Sequence, residues 1–125
     1  MAVVPDAVGI VVKDMGRALA FYRLLGLEFP PGSEREPHVE ANVNGFRIMF
    51  DTVDLVREIY GHWREPVGHR MSLAFKCETP GEVDAVYAAI VAAGHKGVKK
   101  PWNAFWGQRY AVVADPDGNH VDIFC

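Results

Sequence analysis

Cysteine is almost absent: the chain holds only Cys77 and Cys125. Two isolated thiols cannot frame a disulfide-stapled domain or a metal cluster, so both read as plain thiols, Cys77 within an expected strand. Long apolar runs are lacking too. No stretch reaches the roughly 20 residues that span a bilayer, and Met1–Asp14 has neither the basic segment nor the cleavage site of a secretory signal. A cytoplasmic protein with no membrane partner is expected. Organised positive charge is equally scarce. Lys and Arg total 13 against 16 Asp and Glu, and the one basic cluster is Lys96, Lys99 and Lys100, which leaves no stripe to track phosphates and argues against nucleic acid. What is present is the composition of a soluble globular chain, 50% apolar and 23% charged. Its 125 residues suit one compact domain or two half-domains with a common core.

The chain repeats itself. "AVGIVVKD" is a β-branched strand signal running into Asp14, a good N-cap, after which Ala18, Phe21, Tyr22 and Leu25 mark one helical face and Gly26 ends it. "SLAFKCET" does the same later. There Thr79, Pro80 and Glu82 spell a capping box with proline at the first helical position, Val83, Val86, Tyr87 and Ile90 form the stripe, and Gly94 closes it. "NGFRIMF" lines up with "DGNHVDIF", and "DPDG" at Asp115–Gly118 has the residues of a type I turn. Further strands are expected at roughly 27–30 and 37–44 in the first half, and at 97–102 and 108–114 in the second. The pattern predicts an α+β fold of two tandem βαβββ modules, 1–52 and 70–125 with a linker over 53–69, forming a curved mixed sheet around a shared cleft.

This doubled layout, with "DMGRALAFYRLLGLEF" early and "WGQRYAVVADPDGNHVDIF" late, resembles the vicinal oxygen chelate superfamily of glyoxalases, extradiol dioxygenases and bleomycin-resistance proteins. In its metal-dependent members, the resemblance implies, His and Glu ligands sit at inward positions on the first and last strand of each module. Strand alternation and the repeat place those positions here at Ala7, Met49, Ser72 and Asp122. Alanine cannot coordinate, neutral serine is a poor ligand and methionine sulfur is soft, so Asp122 alone is an ordinary donor for zinc, iron or manganese. No metal and no other cofactor is expected. The character is closest to metal-free, bleomycin-resistance-like members.

Other polar side chains could face the same cavity. His38, Glu40 and Asn42 alternate with Val39, Ala41 and Val43, and His120 shares a strand face with Asp122. They could form a relocated metal site, hydrogen-bond one another and water, or contact a ligand. The second feature is aromatic. "PWNAFWGQR" gathers Trp102, Phe105 and Trp106, and "EIYGHWREP" adds Tyr60, His62 and Trp63. Loop aromatics beside a cavity hold flat organic molecules, and they also pack dimer interfaces, so either role is open. Arg109 suits an acidic ligand group or a surface ion pair equally.

The function expected from these features is metal-independent binding or sequestration of an aromatic small molecule by a homodimer. A metal-dependent lyase, isomerase or dioxygenase is the alternative, and a metal-free enzyme with Glu40 or Asp122 as general base is a third.

Overall fold

The computed structural model describes residues 2–125 and shows an α+β protein. Among them three α-helices and seven strands follow in order: β1 (Ala7–Val12), α1 (Met15–Leu24), β2 (His38–Val43), β3 (Phe46–Thr52), α2 (Val53–Tyr60), β4 (Leu73–Lys76), α3 (Pro80–Ala92), β5 (Lys96–Asn103), β6 (Arg109–Ala114) and β7 (His120–Phe124). The strands make two mixed sheets, one ordered β1-β3-β2 and one ordered β4-β7-β6-β5. The chain forms two compact units. One comprises the chain up to Ala20 with Leu27–Glu65, the other Phe21–Gly26 with Pro66–Cys125.

In the first unit β1 runs parallel to β3 and β2 antiparallel to it. Alternation sends Val39, Ala41, Ile48 and Phe50 inward, where they are buried with Val12 and Val56 of α2. The opposite face holds Gly9 and Glu40, which flank Met49 in register, with His38 opposite Asp51 and Asn42 opposite Arg47. The β2–β3 connection is a two-residue hairpin. Asn44 and Gly45 both take positive φ, 52° and 89°, and Asn42 Oδ1 accepts from the Gly45 N–H at 2.9 Å.

One expectation for this half is corrected. Residues 27–30 form no strand, because Pro30 and Pro31 remove consecutive backbone donors and a single 3-10 turn, Ser33–Arg35, follows. The segment expected as a linker, 53–69, begins with α2. Thr52 caps it by accepting the Leu55 N–H, Val56 is its buried residue, and Gly61 ends it at φ 83°.

In the second unit α3 packs across β5, β6 and β7. Its N-terminus is the expected capping box, with Thr79 and Glu82 each bonding the other's backbone N–H. Val83 and Ile90 of α3 are wholly buried against Ala111 and Val113 of β6 and Val121 and Ile123 of β7, themselves wholly buried. Gly97 makes this packing possible, since a Cβ there would lie 2.1 Å from the Tyr87 hydroxyl. Phe21 and Tyr22 complete the core, Phe21 edge-on to His95 and Tyr22 tilted against Phe75. Both are fully buried, as the helical spacing predicts.

Candidate functional site

The open face of each sheet, the one turned from its buried residues, gathers the expected site residues. On the first sheet they are polar and bonded to one another. His38 Nε2 lies 2.7 Å from Glu40 Oε2, and its Nδ1 makes a very short bond to Asp51. Glu40 also accepts from Arg47 Nη1 at 2.9 Å, and Arg47 reaches Asp6 with its other nitrogen. The result is a continuous chain of alternating charge, Asp51, His38, Glu40, Arg47 and Asp6. A shallow cavity of about 360 Å³ opens beside it, lined by Pro30, Pro31, Glu36, His38 and Glu40 among others.

These bonds move the titrations. Asp51, then Glu40, stabilise the imidazolium and raise the pKa of His38, while His38, then Arg47, hold the Glu40 carboxyl below the usual range. Glu40 is therefore a weak base, which removes support for a general-base role. The histidine contribution to stability is fully present below its unfolded pKa, about 6.5, and is lost as pH rises through the higher folded value. That of Glu40 is present above its unfolded pKa and lost as pH falls through the lower folded one. His38→Gln should accordingly lower the melting temperature more at pH 6 than at pH 9. Equal losses at both would show that the imidazolium contributes nothing.

Strand pairing sets the open face of the second sheet in rows. Trp102 of β5, Tyr110 of β6, Phe124 of β7 and Lys76 of β4 form one; Lys99, Val112, Asp122 and Ala74 form the next; Lys96, Ala114 and His120 form the third. The first row is an aromatic floor. Tyr110 stacks on Phe124 at 5.9 Å between ring centroids, Trp102 meets Tyr110 edge-on at 5.4 Å, and Trp106 from the β5–β6 loop meets Tyr110 at 5.3 Å. Trp106 Nε1 donates to Gln108 at 2.7 Å, which fixes the indole, and the ring is half exposed. Phe105 beside it is 98% exposed.

Tyr110 donates its hydroxyl proton to Asp122 Oδ2 at 2.5 Å. Burial, followed by the bond to Asp122 and its charge, pushes the tyrosine up to about 12, so it stays a donor at neutral pH. His120 packs against His69 with centroids 3.8 Å apart and the rings tilted by 42°.

The remaining expected residues lie elsewhere. Arg109 is on the helix-bearing side, gripping Asp84 of α3 through two nitrogens at 3.0 and 3.1 Å and Asn103 through the third. It is an ion-pair partner in this arrangement. Asn42 holds the hairpin turn. Tyr60 and His62 are exposed at the end of α2, and the Trp63 Nε1 donates to Glu65, which pairs with Lys13. Sequence reasoning missed Tyr110, Arg47, Asp51 and Asp6. Counting strand parity back from the DPDG turn would have found Tyr110, because buried Ala111 and Val113 leave it on the face of Asp122.

The profile of the glyoxalase/bleomycin resistance protein/dioxygenase superfamily matches residues 5–123. The chain belongs to this superfamily. It is 30% identical over 119 residues to an uncharacterized protein of Mycobacterium bovis, covering 91% of this chain and 78% of that one. A superfamily enzyme from Burkholderia phytofirmans has a similar fold, with a TM-score of 0.82, 23% identity and 95% of each chain covered. So does a glyoxalase-related enzyme from Fulvimarina pelagi, at a TM-score of 0.81, 23% identity and 94% and 84% coverage.

Of the residues at the positions that the sequence resemblance implies for metal ligands, the first unit carries Ala7 and Met49 and the second carries Ser72 and Asp122, whose carboxylate is bonded to Tyr110. Only Asp122 is an ordinary donor for a catalytic transition metal, which wants about three imidazole or carboxylate groups. Among the described residues no three His, Cys, Asp or Glu side chains are placed to hold one.

Proposed function

We propose that the protein binds a planar aromatic small molecule without a metal ion, on the open face of the second sheet. The observation that supports this most is the aromatic floor. Trp102, Tyr110 and Phe124 are set by strand register, Trp106 is hydrogen-bonded in place, and a side of the cluster stays open to solvent. Rings fixed in advance lose little freedom when a flat ligand stacks on them, and each such contact is worth roughly 0.5–1.5 kcal/mol beyond the area it buries. Asp122 and His120 in the neighbouring rows supply the few oriented polar groups such a site needs. His38 and Glu40 line a separate cavity in the first unit and are bonded to one another there. We take the working form to be a cytoplasmic homodimer, in keeping with a superfamily whose members often pair.

The test is a titration of the whole protein with planar aromatic compounds, followed through indole emission, before and after exhaustive treatment with EDTA. Saturable quenching that EDTA leaves unchanged is expected. Binding that disappears with EDTA, returns with Zn, Fe, Mn or Ni and is lost in Asp122→Ala would overturn the proposal in favour of a metal-dependent lyase, isomerase or dioxygenase.

A further inference from the structure

The charge that surrounds the aromatic floor says what kind of aromatic molecule fits it. Strand register places Lys96 and Lys99 of the edge strand β5 and Lys76 of the opposite edge strand β4 on the same open face. All three are exposed. Against these ammonium groups the register sets one carboxylate, Asp122, which already accepts a hydrogen bond from Tyr110. The acidic balance of the whole chain is therefore reversed here. Lys99 touches the floor: its Nζ lies 4.0 Å from the centre of the Trp102 ring, held by the attraction between a cation and a π face.

Resting on the proposed function, we infer that the ligand of this face is a planar organic anion, an aromatic ring system bearing a carboxylate or a similar acidic group. Its ring packs against the half-exposed Trp106 indole, beside Tyr110, while its acid group meets Lys99 over Trp102. A planar cation is disfavoured for two reasons. Lys99 occupies the position over Trp102 that a ligand cation would take, and the one nearby carboxylate, with its Oδ2 engaged by Tyr110, is outnumbered by the three ammonium groups of the face. A like charge brought beside the ammonium is repelled even in full solvent, and more strongly where water is partly excluded.

Two probes of equal ring size separate the possibilities: 2-naphthoate and 2-naphthylmethylammonium, titrated calorimetrically into the full chain at low and high salt. Naphthoate is expected to bind about tenfold more tightly, a difference of ~1.4 kcal/mol, and to lose that advantage as salt screens it. Lys99→Glu should reverse the order, and Lys99→Met should shrink the preference, with Lys76 and Lys96 still on the face, while keeping both probes bound. Circular dichroism checks that each variant is folded. Equal or inverted affinities in the wild type, with Trp106 still quenched, would overturn the charge assignment and leave aromatic binding standing. If neither probe binds to the folded wild type, the aromatic-ligand reading fails together with the charge assignment.

Discussion

Replacing Asp115 with alanine should destabilise the protein by about 2–3 kcal/mol, the upper part of the range for taking a charged acceptor away from buried donors. The side chain is 5% exposed and holds the turn into β7 from within. Its Oδ1 accepts the N–H groups of Asp117 and Asn119, both at 2.9 Å, and its Oδ2 accepts from Asn119 Nδ2 at 2.8 Å and the Tyr22 hydroxyl at 2.7 Å. Alanine leaves all four donors without this acceptor, and that of Tyr22 has no route to water because the ring is fully buried. Burial, reinforced by the charge of Asp115, raises the tyrosine pKa so far that the group is always a donor. Tyr22→Phe is milder, about 1–2 kcal/mol, because it spares the other three bonds and keeps the edge-on contact with Phe21 at 4.9 Å. The double variant should cost less than the two losses added, since both remove one shared bond. Urea unfolding measures all three. A loss under about 1 kcal/mol for Asp115→Ala would mean that water replaces the carboxylate and that the turn needs no internal anchor.

That network also shows where sequence reading succeeds and where it stops. Local chemistry is legible: Thr79 and Glu82 form the capping box, Gly26 and Gly94 turn the chain with positive φ, and Val121 and Ile123 are buried while His120, Asp122 and Phe124 face the other way. Each follows from residues a few positions apart. The pairing of Tyr22 with Asp115 spans 93 positions and obeys no period, so nothing in the sequence announces it. The strand expected at 27–30 illustrates a different failure, in which the symmetry of the repeat outweighed Pro30 and Pro31. The helix over Val53–Tyr60 was overlooked because the region between the repeats read as a connection, although Thr52 and the spacing of Val53, Val56 and Tyr60 are helical signals.

The candidate site divides along the same line. Residue types on a strand face were readable, and their bonds were not. His38, Glu40 and Asp122 sit on open sheet faces as alternation requires, yet their chemistry is decided by Asp51, Arg47 and Tyr110, all from neighbouring strands. Arg109 makes the point by contrast. One position of parity separates it from Tyr110, and that step moves it to the side of Asp84 and α3.

Trp106→Ala should weaken binding of a planar ligand by roughly 1–3 kcal/mol, the range for losing an aromatic anchor, and leave the fold intact. Half of the ring is already in solvent, so its loss opens no sealed cavity. What disappears is a wall: Trp106 meets Phe105 at 5.0 Å, Tyr110 at 5.3 Å and Trp102 at 6.3 Å, each nearly perpendicular, and so braces the ring that Lys99 covers. Trp102 and Tyr110 remain in their register positions, which is why the loss should be partial. The same exposed rings could instead close a dimer, because an interface core favours Trp and Tyr for the same reasons a ligand does. Calorimetry and light scattering on one preparation tell these apart. A dimer that persists while affinity falls assigns the cluster to the ligand. A dimer that dissociates, with affinity per folded chain unchanged, assigns it to the partner subunit and removes the main support for small-molecule binding on this face.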